Sequence, residues 1–311
     1  AGQRRRVGKV MGHADHAEGV QRASHRTPGQ RTGPDQGGPG GRLREGHGRG
    51  HQQGRARHEQ PTGREVIGQP ADGVLQQEAA DAHGAGNGGG LGQVQADLAI
   101  LDAELTLGLP PAVTAMTGID AMVHAIEAYT SKLKKNPLAD SLAREALRLM
   151  YDHLPRVLAD GRNMESRSAM LAGSMMAGMA FANAPVAAVH ALAYPLGGHF
   201  HVPHGLSNAL VLAPVLAYNL PAAEGWYAEL ASVINPARRF ASQAEAARWF
   251  VDDMTRLVAS MPFSQRLREV GVTDGDLDML AADAMKVERL LVNNPRPMTL
   301  QAARDIYASQ L

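Results

Sequence analysis

From Ala96 onward apolar residues recur at the three- and four-residue spacing of helices, and before it they do not. The patterned part opens with ADLAILD, an apolar run of strand type. Pro110 and Pro111 stand where a first helical turn tolerates proline, ahead of a predicted helix over about 112–131. A second helix is predicted over 137–160, with Leu142, Ala143, Ala146, Leu147 and Met150 on one face. Residues 164–183, rich in Ala and Met, predict a helix buried on most sides, and the Met170–Met179 run reads as core packing. A buried helix over 185–196 is expected to close at Pro195 and the Gly197–Gly198 pair. Further helices are predicted over 204–219, 242–260, 273–291 and 300–309.

Residues 1–95 have neither the 3.6 nor the 2 period. They hold 23 of the 34 Gly and no Phe, Tyr or Trp, and Leu43 is the only large aliphatic residue between 21 and 65. Such a segment buries too little apolar surface to offset its ordering entropy, so it is read as disordered or irregular. Its mixture of Gly, Arg, Gln, His, Ala and Pro is what a GC-rich coding region yields in a wrong frame. The expectation is therefore two parts: a low-complexity segment over 1–95, disordered or frame-shifted, and an all-helical domain over 96–311.

Lys plus Arg equals Asp plus Glu at 31 each, which gives no charge-driven reason for a nucleic-acid or anionic-membrane partner. The chain has no Cys, so disulfides, thiolate metal sites and Cys nucleophiles are excluded. No run reads as a membrane span or a secretory signal, and the expected location is the cytoplasm.

Polar side chains intrude on the apolar helices at three places. Asp120 and His124 lie four residues apart in GIDAMVHAIEAY, the spacing that stacks two side chains on one helix face. His190 sits in APVAAVHALAYPLGG, and His199, His201 and His204 cluster in GGHFHVPHGLSN. Singly, such residues are more often hydrogen-bonded core histidines or helix caps. Jointly they offer the carboxylate oxygen and imidazole nitrogen that a zinc- or iron-type ion accepts. An open site of that kind is a Lewis acid for an alcohol or carbonyl oxygen, and hydride transfer would need a nicotinamide beside it. His153 reads as structural or surface, and Lys132–Lys135 as a solvated helix end.

The stretches TAMTGIDAMVHAIEAYTS, AVHALAYPLGGHFHVPHGLSNALVLAPVLAYN and NNPRPMTLQAARDIYASQL, with the lead-in ILDAELTLGLPP, closely resemble the iron-containing (group III) alcohol dehydrogenases over 96–311. The resemblance implies the dehydroquinate synthase-like fold, in which an N-terminal α/β domain binds NAD or NADP and a helical C-terminal domain holds Fe²⁺ or Zn²⁺. It implies Asp120, His124, His190 and His204 as metal ligands, and moves His199 and His201 to the cleft wall or behind the ligands. It further implies a small-molecule alcohol or carbonyl substrate and a homo-oligomer.

Two positions depart from the family pattern. A further histidine near nicotinamide and substrate often stands four residues after the third ligand, where this chain has Tyr194. Its hydroxyl can donate or relay a proton, and a tyrosine before proline also resembles the hydroxyacid–oxoacid transhydrogenases of the same superfamily. The nucleotide-binding GGGS and TGSE segments are missing: Gly88-Gly89-Gly90 is followed by Leu91, and TGREV at Thr62–Val66 is a short echo. The competing expectation is thus a non-catalytic helical remnant that binds metal without a nucleotide site.

Overall fold

The structure, a computed structural model, describes residues 99–311, and among these every regular element is a helix. The readings of 1–95, including the glycine triplet and the TGREV echo, lie outside the described residues. The expected strand in ADLAILD is not formed over its described part, residues 99–102, while 96–98 lie outside the described residues. Residues 99–102 are exposed and irregular, and Asp102 instead caps a 3-10 turn, Ala103–Thr106, by accepting from the Glu104 amide at 3.0 Å. A strand needs a neighbouring edge to satisfy its backbone, and the described residues offer none.

Local signals set most helix starts. Helix α1 (Pro111–Tyr129) begins on two prolines. Helices α2 (Pro137–Ala159) and α3 (Met164–Asn183) begin on Asn136 and Asn163, whose side chains accept from the backbone three residues on. Helices α4 (Ala188–Phe200) and α5 (His204–Ile234) follow, and α6 (Gln243–Ala259) is capped by Ser242. The predicted helix over 273–291 is broken into a 3-10 turn, Asp274–Asp276, then α7 (Leu277–Met285) and α8 (Glu288–Leu291); α9 (Leu300–Ala308) closes the chain.

Two helices run past their predicted ends. In α4, Pro195 removes one backbone donor, but the helix continues through Gly197 and Gly198 to Phe200. It closes at His201, which takes a left-handed φ of 53° while its amide reaches the Gly197 carbonyl and Val202 reaches Leu196. Helix α5 extends fifteen residues beyond the predicted Asn219, carrying Pro214 and Pro221 inside it. Burial of Ala223, Tyr227, Leu230, Ala231 and Ile234 outweighs the lost backbone bonds. By length and a mean hydropathy of 1.3 this helix matches a membrane-crossing one, but 61% of that stretch is buried inside the fold, which accounts for its apolar character.

Helix α1 lies at the centre, buried nearly all round, and packs against α2, α3 and α5; α5 in turn packs against α4 and α6, and α7 against α4 and α9. Helix α3 is less buried than its composition predicts. It turns Gly173, Ala177 and Ala180 toward the core, while Met175 and Met179 are exposed. Gly173 serves that contact, since a Cβ there would stand 2.6 Å from Met150 Cγ.

Candidate metal centre

Asp120 sits mid-way along α1, His124 one turn later and Glu127 a further turn on, so the three share one helix face. His190 lies in the first turn of α4, and His204 is the first residue of α5. Those two helix starts are brought to Asp120 by specific devices. For α5 the device is Gly205, where a Cβ would lie 2.5 Å from the Met116 carbonyl oxygen; only glycine lets the helix start so close to α1. For α4 it is Glu127. Ala187, the residue before that helix, has no capping side chain, and the Glu127 carboxylate accepts from the Ala187 and Val189 amides at 2.9 and 2.7 Å.

The same carboxylate accepts from His190 Nδ1 at 2.7 Å. With Nδ1 committed to Glu127, the ring's other nitrogen is Nε2, and this buried atom has no hydrogen-bond partner among the described residues. It points at Asp120 Oδ1, 3.8 Å away, and His204 Nε2 lies 3.5 Å from the same oxygen. Two ligand atoms about 2.1 Å from one tetrahedral ion are about 3.4 Å apart, so this spacing suits a zinc-type ion, and the carboxylate–imidazole pairing behind His190 is the usual support of a metal-bound histidine.

Asp120, His190 and His204 thus bring ligand atoms within 4.8 Å of one another. His124 stands beside them, its ring stacked 4.6 Å from Phe181 and 4.6 Å from the His190 ring. The Asn208 amide nitrogen, one turn along α5, donates to Asp120 and faces His204 Nε2 at 2.9 Å. Burial pushes the His124 ring well below the ordinary histidine range, with His190 adding to the effect. Burial likewise pushes His204 down to about 4, against the pull of Asp120. Both rings are therefore neutral near pH 7, the form in which imidazole binds metal.

Tyr194, one turn after His190, lies beside His204 with ring centroids 6.1 Å apart. Burial raises its pKa while the nearby Arg289 guanidinium opposes the rise, so the hydroxyl keeps its proton at neutral pH. His124, His190, Tyr194 and Arg289 line one cleft of about 270 Å³. His199 pairs instead with Asp283 at 2.6 Å, and His201 is exposed at the end of α4. His153 hydrogen-bonds Ser166 at 3.1 Å, a structural role, and Lys135 reaches the Tyr129 carbonyl at the end of α1. Glu127, Asn208 and Arg289 escape the sequence reading. Glu127 follows His124 by three residues and Asn208 follows His204 by four, so helical spacing places each beside a candidate ligand, whereas nothing in the sequence marks Arg289.

The family described as Fe-containing alcohol dehydrogenase family, C-terminal, matches residues 114–311. The chain is 42% identical over 212 residues to long-chain-alcohol dehydrogenase 1 of Geobacillus thermodenitrificans (strain NG80-2), covering 68% of this chain and 53% of the relative. It is 39% identical to 1,3-propanediol dehydrogenase of Klebsiella pneumoniae over 68% of this chain and 54% of that protein. The solved structure of a 1,3-propanediol oxidoreductase superposes with a TM-score of 0.65 at 37% identity, covering 68% of this chain and 55% of the other. The chain therefore spans about half the length of the curated relatives it matches.

Proposed function

Because the chain belongs to the Fe-containing alcohol dehydrogenase family, we propose that its helical domain, residues 96–311, is the metal-holding part of an oxidoreductase that interconverts an alcohol and an aldehyde or ketone. Asp120, His190 and His204 would hold a divalent ion, Fe²⁺ or Zn²⁺, with His124 as the fourth ligand. When bound, that ion would supply Lewis acidity toward the substrate oxygen, and NAD or NADP would serve as the hydride carrier.

The chain's own residues prepare that chemistry. Glu127 fixes the tautomer and direction of His190. Phe181 stacks on His124 and forms an apolar part of the cleft wall beside it. Tyr194 holds a proton at the cleft wall, placed to donate or relay it. A cytoplasmic location, a homo-oligomeric state and the absence of nucleic-acid partners belong to the same proposal.

The observation that carries this reading is the buried, unpartnered Nε2 of His190, aimed at Asp120 with its other nitrogen committed to Glu127. Metal content of the purified chain after dialysis against Zn²⁺ or Fe²⁺ tests it. About one ion per chain is expected, with loss in His190→Ala and His204→Ala. Unchanged metal content in both variants would rule the site out.

The absence of intact GGGS and TGSE segments favours a second reading, a metal-binding helical domain without catalysis. Fluorescence titration with NADH separates the two: saturable binding supports the dehydrogenase, and none supports the remnant.

A further inference from the structure

The cleft beside the candidate metal centre is lined without a single acidic side chain among the described residues, yet it carries two cations, Lys134 and Arg289. Both are exposed, and neither has a carboxylate within ion-pair distance among the described residues. Their sequence neighbours behave differently. Lys135, next to Lys134, pairs with Asp140 at 2.7 Å, and Lys286, three residues before Arg289, pairs with Asp283 at 2.5 Å. The rest of the wall is mostly apolar, including Phe181, Leu133 and Val292.

The backbone carrying these cations is fixed. The Asn293 side chain donates to the Val186 carbonyl at 3.2 Å and to the Arg289 carbonyl at 3.1 Å, while its own carbonyl accepts from Lys132 at 2.8 Å. The side chain and backbone of buried Asn293 thus tie α8, the entry to α4 and the loop bearing Lys134. Arg289 also stands next to Tyr194, which packs near His204.

We propose that this cleft selects an alcohol or aldehyde bearing a carboxylate, with Arg289 holding the carboxylate, Lys134 adding charge at the mouth, and the reactive end directed past Tyr194 to the metal centre. The inference rests on the function proposed above and names its substrate class. A planar guanidinium grips a carboxylate through two parallel hydrogen bonds, and apolar walls strengthen that contact. A diphosphate, more heavily charged and hydrated, matches walls of Phe181, Leu133 and Val292 less well.

Titration calorimetry on the full chain tests this with 4-hydroxybutyrate, butyrate and 1-butanol. The two acids are expected to bind about tenfold or more tightly than 1-butanol. Arg289→Ala should remove that advantage, bringing acid and alcohol to similar affinity, and Arg289→Lys should restore part of it. Circular dichroism melts of these surface variants should match the parent. The proposal is overturned by absent butyrate binding, by equal affinity for acid and alcohol, or by an acid preference that survives Arg289→Ala. It is also overturned if the variant loses NADH but not butyrate, which would assign the guanidinium to cofactor phosphate. Failure of the metal reading looks different: the chain then holds no Zn²⁺ and 4-hydroxybutyrate gains nothing over butyrate, while Arg289-dependent butyrate binding persists.

Discussion

Glu127 is buried at 4% exposure, and its two oxygens accept from two backbone amides and one imidazole. Removing it as Glu127→Ala strands three buried donors, each worth on the order of 1–3 kcal/mol when unsatisfied, so a loss of about 3 kcal/mol or more in urea unfolding is expected. Metal affinity should fall about 10- to 100-fold in the same variant. Glu127→Gln keeps the shape and two acceptor directions of one oxygen, and its losses in both measurements should be smaller. Histidine titration gives a second expectation. Unfolded histidine takes up its proton near pH 6.5, whereas folded His204 does so only near about 4 and His124 is also well depressed. Between those values the unfolded chain binds more protons, so stability is complete above about pH 6.5 and falls as pH drops toward about 4. Melting temperatures of chelator-treated protein across pH 4–8 should show that decline, and His204→Gln should flatten it.

At the scale of elements, Gly205 decides how closely α5 approaches α1. Gly205→Ala is expected to cost about 1–3 kcal/mol by overpacking against the Met116 carbonyl, and to weaken metal binding further by shifting His204 away from Asp120. A thermal melt and a zinc competition titration read the two effects separately. Most helices are legible in the sequence because periodicity is local: the starts predicted at 137 and 164 are those of α2 and α3, and the start at 242 is off by one residue. Helix ends are less legible. The run past Pro195 and past Asn219 depends on burial against distant helices, and the break before α8 at Lys286–Val287 has no turn residue to announce it. The site divides the same way. Asp120 and His124 are visible through helical spacing, but the convergence of His190 and His204 on Asp120 is a product of tertiary packing, and Arg289 enters the cleft only because α8 is separated from α7.

At the scale of the molecule, the described residues form one contiguous core from Ala115 to Tyr307, and the Tyr307 hydroxyl donates to the Leu192 carbonyl at 2.6 Å, fastening the last helix to α4. Nothing comparable is written into residues 1–95, and the proposal of a shifted frame there predicts a concrete result. Reading the encoding DNA in its other frames should yield GGGS and TGSE segments joining in register near Ala96; their absence from all frames would end that proposal. The carboxylate of Glu127 has a last consequence at this scale. One group both starts α4 and aims His190, so a chain in which α4 has slipped in register also loses the bare imidazole nitrogen. Under the function proposed above, ion loading would then act as proofreading: a misassembled molecule would present no complete ligand set, and capture of the ion would sort correctly folded chains from the rest.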